Sequence, residues 1–477
     1  MTKQDAAIKY ITENYLDFNR LRHDIVADKL QVRVAHNLGE EAKGDEASRQ
    51  EYWREMTKHD INSIVCHCAQ EYDANITSRE VMTALQSDLI PDVHPLREYI
   101  NALPRYTPDQ PDWIDFVAQQ VRVRESSADR PKGLSERTAC CQTTMLLDRP
   151  YGAERPTNLT GEADLTISEA HGLTSNSSQR ERSKADRLWR VCFKKWFVAM
   201  LASWMKDEVV NHQVLVLIGK QGIFKTTWLE HLIPPHLRAY ACKLANSNDL
   251  NKDERLRIAE FGLISLDEID SMNNRELNQL KSVITATDVN ERAAYAYTKE
   301  RRVRLASFCA SGNRRDFLTD ITGNRRWLPF EVEEIQNPFY TLLPYERMYA
   351  QAWALAQDPL FSYWFDLDEI EVLEQHNLQF RDESNEEQLL PILFDVPAEG
   401  RGEFMTTAQI SERLVTYGNI KKPMALGRLG VLMGSMGYRS VTRGNRQARL
   451  RGWIVYQRDT EEIAANKKLL AKECVTV

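Results

Sequence analysis

The feature that most constrains the fold of this chain is the stretch from Val214 to Thr227, VLVLIGKQGIFKTT. Its first five residues are apolar and are stopped by a glycine, a pattern typical of a short buried strand. A glycine-containing loop, a Lys-Thr pair and the helix-compatible segment TWLEHLI follow in that order. Loop amides and a helix N-terminus arranged in this way face an anion, so the stretch predicts a phosphate-binding loop.

Each residue type in this loop has a predicted role. We expect the Lys225 ammonium to reach the outer phosphates of a nucleotide and the Thr226 hydroxyl to ligate Mg²⁺. Phe224 stands where the pattern G-x-x-x-x-G-K-[ST] has its second glycine, so its side chain is expected to point away from the nucleotide. The other residues predicted to bind the nucleotide are Gly219, Gln221, Gly222 and Thr227. An ordinary strand–turn–helix with a surface lysine is the alternative interpretation.

A second short apolar run, Leu263 to Leu266, ends in the acidic pair Asp267 and Glu268, 42 residues after Lys225. Ligand-binding residues of α/β sheets lie at the carboxyl ends of strands. Phosphoryl transfer needs one carboxylate to hold Mg²⁺ and its water and a second to polarise the attacking water. We predict Asp267 for the first role and Glu268 for the second, and we expect Asp270 to cap a helix or face solvent.

Two further candidates for catalysis follow along the chain. The run VRLASFCASGN ends in Asn313, which is predicted to position the water or touch the γ-phosphate, with a turn asparagine as the alternative. Arg325 and Arg326 follow a Gly-Asn turn, and a planar guanidinium suits transition-state charge, including charge in a neighbouring subunit's site. Either arginine could instead be a structural salt-bridge partner.

The segment 293–304, AAYAYTKERRVR, combines tyrosines with a cluster of cations. It predicts a β-hairpin whose basic tip contacts a nucleic-acid strand through Lys299, Arg301 and Arg302. A solvated hairpin is the alternative, because charge runs usually face water.

A basic segment lies near the C-terminus. From Arg413 to Arg458 the chain carries ten lysines and arginines and no acidic residue. Two helical patterns followed by two strands across a Gly-Asn turn predict a winged-helix-like α+β module. Its predicted DNA contacts are Arg439, Arg443 and Arg446. A small lid that docks on the acidic connector or on the ATPase domain is the alternative.

Taken together, GKQGIFKT, LISLDEID, SGN and TGNRRWLP resemble, in that order, the virulence-associated protein E family. That family belongs with the primase-associated, superfamily-three-like helicase ATPases of phages, mobile elements and their bacterial hosts. The resemblance covers about residues 185–357. It implies an α/β P-loop NTPase core of the AAA+ type, ATP and Mg²⁺ as cofactors, a hexameric ring, and DNA replication alongside a separate primase.

The resemblance also implies roles for single residues. Lys225 and Thr226 match the Walker A residues, and Asp267 and Glu268 match the Walker B pair. Asn313 matches the sensor, and Arg325 and Arg326 match the candidates for an arginine finger. Phe224 departs from the usual glycine of the family.

The sequence pattern divides the chain into six segments. We predict a helical N-terminal domain at 1–124, a polar linker or mobile insertion at 125–184, the ATPase domain at 185–357, an acidic connector at 358–402, the basic module at 403–460 and a tail at 461–477. The balance of 62 basic against 69 acidic residues argues against nucleic-acid binding by the whole surface. With no signal-peptide pattern and no apolar run of about 18 residues, we expect a cytoplasmic protein with no membrane partner.

These patterns predict an ATP-dependent DNA helicase or translocase subunit, and the resemblance implies that it acts in the replication of phage, mobile-element or bacterial host DNA. ATP would lie between subunits, and the 293–304 hairpin would move along single-stranded DNA in the ring. One alternative is a nucleotide-dependent DNA-binding assembly factor in which Phe224 has disabled hydrolysis. Another is an ATPase switch in defence or signalling.

Overall fold

The computed structural model describes most of the chain, namely residues 2–37, 49–72, 75–124, 184–244, 252–291, 300–318, 324–382, 384–397, 402–444 and 449–464. The described residues form a mixed α/β structure whose largest sheet is mainly parallel. Among the described helices, none combines the length and the apolar character needed to cross a bilayer.

The N-terminal part combines helices with a four-stranded sheet of order β3-β2-β1-β4. Its strands are β1 (Leu21–Asp24), β2 (Lys29–Asn37), β3 (Arg49–Glu55) and β4 (Asp92–Val93). Helices α1 (Lys3–Ile11), α2 (Lys58–Tyr72) and α3 (Ser78–Leu85) share an apolar core with it. The sequence predicts a helical domain here, and the structure shows a four-stranded sheet in addition to its helices. The strand β2 reads KLQVRVAHN, and its alternating apolar residues are the period-two signal that a helical interpretation overlooks.

The central sheet has six strands in the order β5-β12-β6-β11-β8-β7. They are β5 (Val121–Val123), β6 (Val214–Ile218), β7 (Ala241–Leu244), β8 (Leu263–Leu266), β11 (Ser307–Gly312) and β12 (Trp327–Ile335). All run parallel except β5, which pairs antiparallel with β12 at one edge. The predicted strands at Val214–Ile218 and Leu263–Leu266 are confirmed, and every residue in both is buried, as expected of parallel strands covered on both faces.

Helices cover both faces of this sheet, and a two-stranded ribbon lies beside it. The helices are α4 (Pro95–Ala102), α5 (Trp113–Ala118), α6 (Lys184–Met205), α7 (Lys225–His231), α8 (Lys252–Glu260), α9 (Asn274–Thr285) and α10 (Tyr345–Gln357). The ribbon consists of β9 (Asp288–Glu291) and β10 (Glu300–Val303).

The aromatic helix α6 packs against the central sheet. Three of its indoles are fully buried and donate hydrogen bonds to backbone carbonyls of the surrounding elements. Trp189 donates to Ala118 at 3.0 Å, Trp196 to Phe308 at 3.1 Å and Trp204 to Gly262 at 3.0 Å. Because a buried indole N–H needs a partner, these bonds fix the helix in one register on the sheet.

The chain leaves and re-enters this layer at neighbouring points. Strand β5 ends at Val123 on the edge of the sheet, and α6 begins at Lys184. The α6 residue Arg190 is bound to Asp115 of α5, the helix that leads into β5, at 2.8 Å. The two ends of the intervening segment are therefore held on the same structural unit.

The C-terminal part is a smaller α+β module with its own apolar core. Its elements are α12 (Asn385–Leu393), β13 (Phe394–Asp395), β14 (Glu403–Thr406), α13 (Thr407–Gly418), α14 (Leu426–Ser435), β15 (Arg439–Gly444) and β16 (Arg449–Gln457). The long strand β16 pairs with the other three. Helix α11 (Leu367–Asn377) lies before the module and packs on the central sheet, where Asn377 donates to the carbonyls of Asn324 and Trp327.

The cap of α4 predicts a dependence of stability on pH. His94 Nδ1 accepts the backbone N–H of Arg97 at 3.3 Å. Burial, helped by the Arg97 charge, lowers the pKa of His94 to about 4. An unfolded histidine has a pKa of about 6.5, so the unfolded chain takes up this proton first. The free energy of unfolding is therefore expected to fall as the pH drops from about 6.5 towards 4.

His94→Asn keeps a capping side chain that does not titrate, so it should reduce this loss of stability. The measurement is the urea midpoint of both proteins at pH 7 and pH 4.5. Burial also lowers the pKa of His212 and His236, so part of the pH dependence should persist. An identical loss of stability in variant and wild type would contradict the assignment to His94.

Candidate functional site

A cavity of about 300 Å³ lies at the carboxyl edge of the central sheet. It is lined by Gln221, Gly222, Phe224, Lys225, Thr226, Thr227, Asp267, Glu268, Ser311, Gly312 and Asn313. The parallel register explains this convergence, since Gly312 pairs with Ile218 and Ala310 pairs with Leu266. Three stretches that are far apart in sequence therefore end beside one another.

The loop after β6 depends on glycines at two places. Gly219 donates its N–H to the Gly312 carbonyl at 3.1 Å, and a Cβ at Gly219 would lie 2.6 Å from the Val332 carbonyl oxygen. Gly222 has a φ of +86°, in the left-handed region that favours glycine. The first glycine thus permits close packing on β12, and the second permits the turn of the loop.

Lys225 is the first residue of α7, and its side chain is buried over the loop. The ammonium donates to the carbonyls of Gly219 at 2.8 Å and Lys220 at 2.7 Å, and it lies 3.3 Å from Asn313 Oδ1. Burial lowers the pKa of Lys225, while the nearby carboxylates of Asp270 and Asp267 oppose this shift. The ammonium is satisfied mainly by neutral oxygens, for which an anion would be a stronger partner.

Asp267 is at the centre of a hydrogen-bond network. Its Oδ1 accepts from Ser311 Oγ at 2.7 Å and from Thr226 Oγ1 at 3.1 Å, and its Oδ2 lies 2.8 Å from Lys243 Nζ. Burial raises the pKa of Asp267, but the hydrogen bonds from Lys243 and Ser311 outweigh it, and the net pKa is lowered. Asp267 is therefore an anion at neutral pH.

The oxygens of this network fit a magnesium ion. Thr226 supplies a hydroxyl and Asp267 a carboxylate, and both are hard oxygen ligands of the kind that Mg²⁺ prefers. Mg²⁺ usually takes only one or two protein ligands and fills its remaining positions with water and phosphate oxygens. The pair predicted from sequence is thus a suitable donor set at the wall of this cavity.

Two members of the network were not predicted. Ser311 belongs to the SGN run, in which only the asparagine was singled out. Lys243 lies on β7 and reaches Asp267 because β7 pairs with β8, with Lys243 opposite Ser265. No local sequence pattern predicts the contact between Lys243 and Asp267, because it depends on which strands are neighbours in the sheet.

Asp270 has a role other than the predicted cap or solvent-facing side chain. Its two carboxylate oxygens accept the backbone N–H groups of Asn313 and Arg314, each at 3.1 Å. A Cβ at Gly312 would lie 2.9 Å from Asp270 Oδ1, so a glycine is needed there. The turn after β8 brings Asp270 to the end of β11, where it fixes the backbone that carries Asn313.

Glu268 and Phe224 both have left-handed backbones, with φ of +51° and +67°. Such a conformation costs a non-glycine residue about 1–2 kcal/mol, and strain of this kind is concentrated at functional sites. The Glu268 side chain is exposed at the cavity. The half-buried Phe224 ring meets Phe339 edge-on, with ring centroids 6.4 Å apart.

Arg325 and Arg326 lie at the amino ends of the parallel strands, whereas the cavity lies at their carboxyl ends. They precede Trp327, which pairs with Val214 at the start of β6, whereas the loop follows Ile218 at its end. A strand of five residues spans roughly 16 Å, so neither arginine is brought to the cavity of its own chain. Arg325 is exposed, and burial, together with the charge of Arg325, lowers the pKa of Arg326.

The cations predicted to contact nucleic acid from the 293–304 hairpin differ in exposure and in their ion-pair partners. The hairpin is present as β9 and β10, but Lys299 lies outside the described residues. Arg301 is 75% exposed and forms an ion pair with Asp288 at 2.7 Å. Arg302 is only 18% exposed and binds Asp28 at 2.6 Å, so its charge is directed at the N-terminal part of the chain.

The basic C-terminal module presents several exposed arginines on its β15–β16 hairpin. Arg439 and Arg443 lie on β15, and the Arg443 guanidinium lies 4.7 Å from the centre of the Phe404 ring. Arg449 and Arg451 on β16 are exposed as well, whereas Arg446 lies outside the described residues. This hairpin therefore carries a positive surface.

Comparison with known proteins places the candidate site within one family's domain. A search of solved structures gave matches of low sequence identity and low TM-score. "The apo structure of NrS-1 C terminal region (305-718)" has 11% identity and a TM-score of 0.39, covering 94% of this chain and 99% of that chain. "The A form apo structure of NrS-1 C terminal region-CTR(305-718)" has 10% identity and a TM-score of 0.35, covering 91% and 96%. A comparison with curated proteins gave no match. Residues 174–386, which contain every residue that lines the cavity, match the virulence-associated protein E-like domain and confirm the resemblance drawn from the motifs.

Proposed function

We propose that this chain is an ATP-dependent DNA helicase or translocase subunit with a P-loop ATPase core of the AAA+ type. The observation that carries the proposal is the meeting of Lys225, Thr226 and Asp267 at one cavity. A phosphate-binding ammonium, a hydroxyl and an ionised carboxylate at a helix N-terminus are the parts that nucleoside triphosphate hydrolysis requires. The match to the virulence-associated protein E-like domain supports a role in replicating phage, mobile-element or bacterial host DNA.

Each cavity residue has a part in the proposed reaction. Lys225 would exchange its two carbonyl partners for phosphate oxygens, and Thr226 and Asp267 would hold Mg²⁺, which neutralises charge that develops on the phosphates. Glu268 would accept a hydrogen bond from the attacking water. Asn313 would orient that water or the γ-phosphate from the backbone that Asp270 holds.

The position of the two arginines supports a site shared between subunits. Arg325 and Arg326 lie about one strand length from the cavity of their own chain, so they would complete the cavity of a neighbour in a ring, proposed to be a hexamer. A guanidinium supplied by an adjacent subunit stabilises transition-state charge and couples hydrolysis to assembly.

Two surfaces are proposed to contact DNA. The first is the β9–β10 hairpin, whose Arg301 on β10 would face single-stranded DNA in the ring, while the predicted contact Lys299 lies outside the described residues. The second is the C-terminal module, in which two helices and the hairpin of Arg439 and Arg443 follow the order of a winged helix. Arg302 contributes less than predicted because it is paired with Asp28. A separate primase is the proposed partner protein.

One observation favours a second candidate function. Phe224 occupies a left-handed position where the loop pattern has glycine, and it is one of the residues that line the cavity. This feature favours an assembly factor that binds a nucleotide and DNA without hydrolysis. The intact set of Asp267, Glu268 and Asn313 favours hydrolysis, because a binding-only site would have little use for all three.

The test is steady-state ATP hydrolysis with and without single-stranded DNA, by wild type and by Lys225→Ala. Hydrolysis that DNA stimulates and that disappears in the variant is the expected result, because the variant lacks the cation at the phosphates. Nucleotide binding without hydrolysis under either condition would overturn the helicase proposal in favour of the assembly factor. Hydrolysis unchanged by DNA would indicate an ATPase switch.

A further inference from the structure

The segment that follows β12 carries large apolar side chains that are exposed to solvent. Phe339 is 65% exposed, and the nearby Tyr340 and Leu342 are 87% and 85% exposed. The turn is built by Asn337, whose side-chain oxygen accepts the Phe339 N–H at 3.0 Å and whose carbonyl accepts the Tyr340 N–H at 3.1 Å. Neighbouring exposed apolar side chains that form a contiguous patch are typical of interaction or ligand-binding sites, whereas single exposed ones are not.

This segment leaves the sheet at the same edge as the phosphate-binding loop. Strand β12 runs parallel to β6, and Glu331 pairs with Ile218, the last residue before the loop. The strand continues to Ile335, and the exposed segment begins directly after it. The exposed aromatic ring is therefore on the side of the sheet where the cavity opens.

The Phe339 ring packs across one face of α7. It meets the Phe224 ring at a centroid distance of 6.4 Å and the His231 ring at 5.5 Å, both nearly perpendicular. Phe224 is the residue that precedes α7 and His231 is its last residue, so the Phe339 ring contacts both ends of this helix. Two edge-to-face neighbours fix the Phe339 ring while most of its surface remains in solvent.

We infer that Phe339, supported by Phe224, is the platform on which the base of a bound purine nucleoside triphosphate stacks. This inference rests on the proposed function, which places the phosphates at Lys225. Phe224 directly precedes Lys225 and lines the cavity, and the Phe339 ring contacts Phe224, so the platform lies next to the residues that would hold the phosphates. A purine has a larger stacking face than a pyrimidine and gains more from such a ring.

The inference also gives Phe224 a purpose. A glycine at this position would adopt the left-handed backbone without strain but would leave Phe339 with one aromatic neighbour fewer. Phe224 therefore has a strained backbone, but its ring supports the base platform.

The experiment compares two ligands that differ only in whether they carry a base and a ribose. Dissociation constants for ATP and for inorganic tripolyphosphate are measured by calorimetry with wild type, Phe339→Ala, Phe339→Trp and Lys225→Ala. Because stacking of one base is worth about 1–3 kcal/mol, Phe339→Ala should weaken ATP binding by roughly tenfold. Its affinity for tripolyphosphate should not change, and Phe339→Trp should bind ATP like wild type. Leu342→Ala, an equally exposed apolar truncation in the same segment, should leave both affinities unchanged.

The outcomes separate this inference from the proposed function. Unchanged ATP affinity in Phe339→Ala, or equal weakening of ATP and tripolyphosphate, would overturn the platform. Tripolyphosphate binding that Lys225→Ala abolishes would still support the proposed site in that case. A wild-type protein that binds neither ligand would overturn the proposed function and the platform with it.

Discussion

Glu268→Gln is expected to lower the rate of ATP hydrolysis by a factor of ~10²–10⁴ while leaving ATP binding close to that of wild type. The amide is the same size as the carboxylate but cannot accept a proton from the attacking water. Glu268 is exposed at the cavity and directly follows Asp267, whose carboxylate is already engaged by Thr226, Ser311 and Lys243. Asp267 would hold the metal, so removing the Glu268 charge should affect hydrolysis more than nucleotide binding.

The matched control is Glu371→Gln, the same chemical change at an exposed position on α11. We expect this control to hydrolyse ATP at the wild-type rate. The measurements are single-turnover hydrolysis and the equilibrium affinity for ATP, each with saturating Mg²⁺. A wild-type rate in Glu268→Gln would show that another group activates the water, and a large loss of ATP affinity would assign Glu268 to binding instead.

Arg304→Met is expected to destabilise the central domain by about 3–5 kcal/mol, although it removes only one polar group. Arg304 is 1% exposed, and its guanidinium donates to the carbonyls of Val283, Ile284, Ala286, Ala306 and Asn211. Three of these carbonyls belong to the last turn and the C-cap of α9, where a cation also complements the helix dipole. Methionine can fill the space of the side chain, but it leaves buried carbonyls without a donor.

The control for Arg304→Met lies three residues away along the same run of cations. Arg301→Met removes a 75% exposed ion pair with Asp288, which should cost no more than ~1 kcal/mol. Thermal unfolding followed by circular dichroism distinguishes the two, with a fall in Tm of ~6–20 °C expected for Arg304→Met only. Similar Tm values for both variants would contradict the structural role of Arg304.

These two arginines illustrate what could and could not be predicted from the sequence. The segment 293–304 predicts one basic hairpin, and nothing in its sequence distinguishes Arg304 from Arg301. The structure separates them, because β10 ends at Val303 and the chain then turns inward towards α9. Charge runs usually face water, so a buried arginine in such a run is identified only when its carbonyl partners are known.

The core of the candidate site was easier to predict. Lys225 and Thr226 belong to a local strand–loop–helix pattern, and Asp267 follows a buried strand, so short-range signals were sufficient. Lys243 and Asp270 act through strand neighbours and a turn, which local patterns do not specify. The N-terminal sheet was not predicted although β2 has an alternating apolar pattern, because β1 and β4 of the same sheet are only four and two residues long and carry little signal of their own.

The fixed ends of the segment between β5 and α6 have a thermodynamic consequence. Val123 is held in the sheet and Lys184 begins a helix bound to the same unit, so roughly 60 residues form one closed excursion. The entropy of closing a chain grows only with the logarithm of its length, by ~0.6 kcal/mol for each doubling. Lengthening or trimming this excursion should therefore alter the free energy of unfolding by no more than ~2 kcal/mol. The length of this segment, which lies outside the described residues, is therefore expected to have little effect on the stability of the central domain.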